Sequence, residues 1–271
     1  MSINFKRNRA QTTYEQFIGV MSQNDLQKNK NVFKNHILSQ NEASSLLVAL
    51  HEDAIDLFYN GILSFSEGID SIYNKRFSWA TIKLYYTVYY LIRTSFATKD
   101  IAILRCDRMF RLPVRQGQQP YSTGNKKYNS THEGTINHYK DLFSMSDPLL
   151  SNKIEDNDAF QWMRNAREIV NYRSSSFREP NCLEIWNYFS NCINDNSMSQ
   201  ILKQLEEDAY TLCFQEEYAI VAIPIKLIQQ TINDMENTRL LNRLSKERKS
   251  FIRSLINYDN RSLTIFPKIF I

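Results

Sequence analysis

The chain has 271 residues, 42% hydrophobic and 13% aromatic, which is enough apolar surface for one large core or two modest ones, so disorder is not the default reading. Six glycines and six prolines are too few for an all-β protein that turns every ten residues or so, and this favours a helical class. A formal charge of +4, from 33 Lys+Arg against 29 Asp+Glu, permits a nucleic-acid partner without demanding one.

Residues 1–40 are polar and mixed, with short helices expected at TYEQFIGVM and DLQKNKNVFKNHIL, an arm able to lie over a neighbour. From Asn41 the pattern changes. Leu46, Leu47, Leu50, Ala54, Leu57, Phe58, Ile62 and Phe65 recur at steps of three and four, the spacing that lines one face of a long helix. FSWATIKLYYTVYYLIRTSFATKD follows, with Ser78 as the expected N-cap and apolar side chains at almost every angle. A run of that length without Gly or Pro is long for a strand, and a helix apolar all round belongs in the middle of a bundle. DIAILRC and RMFRLPV read as an edge hairpin, and RQGQQPYSTGNKKYNST as a mobile surface loop.

Helical patterning resumes at THEGTINHYKDLF, capped by Ser130 or Thr131, and at NDAFQWMRNAREIVNYR. After Pro180 come CLEIWNYFSNCI, a stretch from Ser197 to about Glu217, and AIVAIPIKLIQQTINDM, where Pro224 is expected to break or kink the helix. The last segment, TRLLNRLSKERKSFIRSLI, is amphipathic and basic, with Arg239, Arg243, Lys246, Arg248, Lys249 and Arg253 opposing Glu247. The expected organisation is an N-terminal arm (1–40), an all-α bundle (41–192) and a helical extension (193–271).

Cys106, Cys182, Cys192 and Cys213 show no C-x-x-C or paired ligand spacing, and the opening MSINFKRN has no signal-peptide pattern, so a reducing cytoplasm is expected. The apolar runs Tyr85–Ile92 and Ile220–Ile228 are too short to span a bilayer, so no membrane partner is expected. Glycine-rich phosphate loops are absent. HEGTINH is not a zinc motif either, because Ile136 stands four residues after His132 where the second histidine is needed. No cofactor and no metal is expected.

Met163–Pro180, MRNAREIVNYRSSSFREP, carries the densest chemistry. At 100° per residue, Ala159, Trp162, Met163, Ala166, Ile169 and Val170 fall on a dry side, while Arg164, Arg167, Glu168 and Asn171 gather on the other. Arginines three apart project side by side and Asn171 lies four beyond Arg167, so one phosphate could meet all three. The competing reading is a solvated helix face with an Arg164–Glu168 pair worth roughly a few tenths of a kcal/mol.

FYNGILSFSEGIDSIYNKRFSWATIKLYYTVYYLIRTSFA resembles the first half of an HEPN domain (higher eukaryotes and prokaryotes nucleotide-binding), with FQWMRNAREIVNYR as the later arginine-bearing helix. The resemblance covers roughly residues 43 to 190. It implies an all-α bundle that often dimerises, and membership of a superfamily rich in metal-independent ribonucleases of toxin–antitoxin, abortive-infection and other prokaryotic defence systems. The family's active motif is an arginine, often followed by Asn, Asp or His, then a histidine after four to six residues. Arg164 is followed by Asn165, but the histidine is missing: Ile169, Val170 and Asn171 stand at its distance from Arg164, and Tyr172, Arg173 and Ser174 from Arg167. In the family the arginine holds the phosphate and the histidine moves a proton during attack of the ribose 2′-OH. Asn171 cannot shuttle a proton, and Tyr172, a phenol with a reference pKa near 10, is a poor substitute.

Four histidines are present, and His132 is the best replacement, because STHEGT opens a helix beside a loop; the alternative is an ordinary first-turn residue. Arg164, Arg167, Asn171, Tyr172 and His132 are therefore the catalytic candidates. Arg173, Arg178, Lys246, Arg248 and Lys249 are the candidates for nucleic-acid contact. Tyr85, Tyr86, Tyr89 and Tyr90 read as core rather than as a base-stacking platform. Two functions follow from the resemblance. One is an HEPN-like component of a prokaryotic antiphage or toxin–antitoxin system that binds RNA or cuts it without metal. The other is a catalytically silent scaffold in a multi-protein defence effector, which the missing histidine favours. RNA, a homodimer and other defence subunits are the expected partners.

Overall fold

Asp53 fixes where the first helix starts. α1 (Arg9–Phe17) has no side-chain cap of its own, and the two carboxylate oxygens of Asp53 accept the N–H groups of Arg9 and Ala10 at 2.8 Å each. The computed structural model describes residues 8–20, 23–173, 176–177, 179, 183–256 and 269. DLQKNKNVFKNHIL holds two short helices, α2 (Gln23–Lys28) and α3 (Lys30–Asn35). Tyr14 on α1 buries its ring against Phe33 on α3 and donates its hydroxyl to the Phe33 carbonyl at 2.6 Å, so the arm is tied down rather than loose.

The three- and four-residue spacing becomes α4 (Gln40–Tyr73), 34 residues long, with Leu46, Leu50, Ala54, Phe58, Ile62 and Phe65 all buried. α5 (Phe77–Thr98) is the apolar-all-round helix, and its threonines bend their hydroxyls back onto the preceding turn, Thr81 to Phe77 O and Thr87 to Lys83 O. The expected cap, Ser78, lies inside the helix. Glu179 does the capping instead, accepting the Ser78 N–H at 2.6 Å and its hydroxyl at 2.9 Å.

The chain forms two compact units, one from Met1–Leu57 and Ile92–Leu142, the other from Phe58–Leu91 and Phe143–Ile271. In the first, β1 (Ile101–Arg105) and β2 (Met109–Pro113) make the expected hairpin, antiparallel from Ile101↔Pro113 to Arg105↔Met109. The loop after it is not free-running, contrary to its composition. Gly117, at φ +80°, and Gln118 exchange backbone hydrogen bonds with Leu38, and Tyr121 pairs with Arg111 in both directions, its ring 4.8 Å beneath the guanidinium. α6 (Thr131–Phe143) follows, with the Ser130 hydroxyl accepting the Glu133 N–H.

The second unit holds α7 (Ala159–Glu168), α8 (Asn187–Asn194), α9 (Met198–Glu207), α10 (Glu216–Asn237) and α11 (Lys246–Ile256). Trp186, fully buried before α8, stacks on Phe77 and donates its indole N–H to Thr81 Oγ1 at 2.9 Å, fixing the start of α5 in the core. Pro224 does not break α10, which runs unbroken through it. A proline inside a helix costs about 3 kcal/mol, whereas each buried Ile, Leu or Val contributes roughly 1.5–3 kcal/mol, and every residue from Ala219 to Ile228 is buried. Packing wins over the local cost. Cys106, Cys192 and Cys213 are unpaired and buried, while Cys182 lies outside the described residues. Among the described residues no helix is long and apolar enough to cross a membrane.

Candidate functional site

Asp158 starts α7 by accepting the Gln161 N–H at 3.0 Å, and the helix then winds regularly to Glu168. From Ile169 to Arg173 it loosens into a π-helix. The buried face of this element differs from the expected one. Phe160, Met163, Arg167 and Val170, at steps of three, four and three, form one buried stripe, with Arg167 only 9% exposed. Ile169, expected on the dry side, is 41% exposed. Arg167 is therefore not on a solvated face, because it holds a core position between Met163 and Val170.

Three tyrosine rings surround its guanidinium: Tyr172 at 5.1 Å, Tyr85 at 5.3 Å and Tyr86 at 6.0 Å from the ring centroids. Its nearest polar tie is long, Nη2 donating to the Tyr172 hydroxyl at 3.4 Å, and its buried Nε has no acceptor. Among the described residues no carboxylate pairs with it. The covering ring, Tyr172, is 72% exposed on the π-turn. Burial pushes the Tyr85 phenol up, against the pull of the positive charges of Arg167 and Arg164, so both arginines act on this one ring.

Arg164 is already engaged. Its Nε donates to Glu168 Oε1 at 2.9 Å and its Nη1 to Gln161 Oε1 at 3.4 Å, with its side chain 16% exposed. Gln161 continues to Asn165, which donates to Asn157, giving a polar ladder along the helix. The Arg164–Glu168 pair of the simpler reading is thus present, and a phosphate at Arg164 would have to compete with it.

Asn171 is half-buried on the π-turn. His132 sits in the first turn of α6, in the first unit, whereas the arginine cluster belongs to the second. Arg173 is exposed, 3.7 Å from Glu168, and Arg178 lies outside the described residues. On α11, Lys246 is exposed, Lys249 is half-buried and Arg248 stacks on Tyr59 at 4.8 Å. Tyr85 and Tyr89 are core residues as expected, with Tyr86 and Tyr90 half-buried. Among the described residues no group of His, Cys, Asp and Glu could hold a metal ion.

A cleft of about 630 Å³ borders the other side of α7, lined by Trp162, Ala166 and Ile169 and by Glu155, Glu184 and Glu216. Arg173 lines it as well, and burial, then repulsion from Glu155 and Glu184, pushes the Glu216 carboxyl up. What the sequence reading missed was the burial of Arg167. Its signal lay in the spacing of Phe160, Met163 and Val170 around it. Comparison with family models, with curated proteins and with solved structures finds no match for this chain.

Proposed function

We propose that the chain is an HEPN-like, cytoplasmic component of a prokaryotic antiphage or toxin–antitoxin defence system, and that it binds RNA without cutting it. The observation that carries this reading is Arg167, a guanidinium buried among tyrosines with an unpartnered Nε and no paired carboxylate among the described residues. A buried cation without a counter-ion is costly, and an RNA phosphate supplies both the charge and the acceptor that it lacks. Arg164, acting on the same Tyr85 ring, adds a second positive charge nearby.

Cutting is a different matter. General acid–base work on a ribose 2′-OH needs a group that gives and takes protons near neutral pH. The groups that touch Arg167 are phenols, and burial moves the Tyr85 hydroxyl further from that range. Cleavage is accordingly assigned to a partner subunit, with this chain as the RNA-holding scaffold of the assembly.

The test is incubation of the purified protein, and of an Arg164→Ala/Arg167→Ala variant, with total and structured RNA at low salt without metal. Binding should fall steeply with added salt as counterions are released, and should be lost in the variant, with no cleavage in either. Metal-independent cutting that disappears in the variant would replace this reading by a ribonuclease. Equal binding by both proteins would remove Arg164 and Arg167 from the function.

A further inference from the structure

Tyr172 stands where a buried cation meets solvent. Its ring centroid lies 5.1 Å from the Arg167 guanidinium carbon, and the residue is 72% exposed, far more than Tyr85, Tyr86 or Tyr89. Its polar tie to Arg167 is the 3.4 Å contact between Nη2 and the hydroxyl oxygen, too long to hold the ring firmly. The ring is thus held only weakly beside the guanidinium, with most of its surface open to solvent.

Resting on the RNA reading above, we infer that Tyr172 is a specificity-determining residue that stacks on an unpaired base while Arg167 holds the neighbouring phosphate, so that the site takes single-stranded RNA and rejects duplex. The chemistry is that of stacking. Every base presents a π face that an exposed aromatic ring can cover, but in a duplex both faces are already covered by neighbouring base pairs. The arginine alone would not discriminate, since both forms carry phosphates. Discrimination requires the exposed ring beside it, and the π-turn supplies that ring.

The experiment is fluorescence anisotropy at low salt without metal, using a labelled adenine-rich 12-nucleotide RNA, alone and annealed to its complement. The proteins are the full chain and its Tyr172→Ala, Tyr172→Phe and Arg167→Met variants, each checked by thermal melting. The wild type should bind the single strand about tenfold or more tightly than the duplex. Tyr172→Ala should lose that factor on the single strand alone, and Tyr172→Phe, which keeps the ring, should retain it. Arg167→Met should weaken both. Equal binding of single strand and duplex by the wild type, with both weakened by Arg167→Met, would overturn the stacking role and leave the RNA reading standing. A Tyr172→Phe variant as impaired as Tyr172→Ala would overturn stacking in favour of the hydroxyl. Failure to bind either RNA would overturn both readings.

Discussion

Replacing Arg167 by methionine separates a cation kept for a ligand from a cation kept for the fold. Three rings attract the guanidinium, and each such contact is worth about 0.5 kcal/mol when exposed and about 2 kcal/mol when desolvated. Exposed Tyr172 belongs at the low end, and Tyr86 also, because its 6.0 Å separation is at the limit of the interaction; buried Tyr85 belongs at the high end. Their sum is about 3 kcal/mol. Against this stand the desolvation of a buried ion, several kcal/mol after relaxation, and the unpartnered Nε, about 1–3 kcal/mol. Methionine fills a similar length, removes both penalties and keeps a sulfur–aromatic contact of roughly 0.3–1.5 kcal/mol. Urea unfolding of Arg167→Met should therefore show stability unchanged or raised by about 1–2 kcal/mol, while RNA binding falls. A loss of more than about 2 kcal/mol would refute the reasoning, because the rings would then be holding a structural cation that needs no ligand.

Four further outcomes probe the scaffold. Burial holds the His138 imidazole below its ordinary range, its Nε2 bonded to the Met109 carbonyl at 3.0 Å and its Nδ1 without a partner. The unfolded chain therefore binds the extra proton first, and stability should fall as pH drops below about 6.5, by at most ~1.4 kcal/mol per unit; identical slopes for wild type and His138→Phe in denaturation series between pH 7.5 and 5.5 would contradict this. Gly134→Ala places a Cβ 2.7 Å from Met109 Cγ and 2.8 Å from the Tyr128 carbonyl oxygen, and since backbone cannot step aside the urea midpoint should drop by the equivalent of roughly 1–3 kcal/mol. Gly61→Ala places its Cβ 2.7 Å from Leu91 Cδ2 and 2.9 Å from Cγ, a side chain rather than backbone, and should cost less. Asp53→Ala strips α1 of both acceptors at its start, which should cost about 0.5–2 kcal/mol and speed amide exchange at Arg9 and Ala10; unchanged exchange would mean that the helix holds itself.

The helical class and the two long helices were legible because their signal is periodic and internal. Leu46 to Phe65 repeat on one face, and α5 is apolar at every angle. The hairpin was legible for the same reason, as two short apolar runs close together. What could not be read depends on partners distant in the chain. Glu179 replaces Ser78 as the cap of α5 from a hundred residues away, and Leu38 pins a loop whose Gly, Gln and Ser content reads as mobile. Pro224 is a local veto that the buried stretch around it overrides. Arg167 was misplaced because arginine is assigned to water by default, although its neighbours at minus seven, minus four and plus three are core residues.

The π-turn links the two halves of the candidate site. In an uninterrupted α-helix the burial of Met163, Arg167 and Val170 would continue one face onward at the same pitch. The looser winding from Ile169 to Arg173 brings Tyr172 back over Arg167, whereas regular winding at 100° per residue would turn it about 140° away. Tyr172 thereby ends with its ring over the side chain of Arg167, five residues earlier, and with most of its surface in water. Arg167 is buried by the regular stripe of α7, and the π-turn that follows sets an exposed aromatic ring over it. Irregular windings of this kind are rare and occur often at functional sites, which is the setting that the proposed pairing of Arg167 and Tyr172 requires.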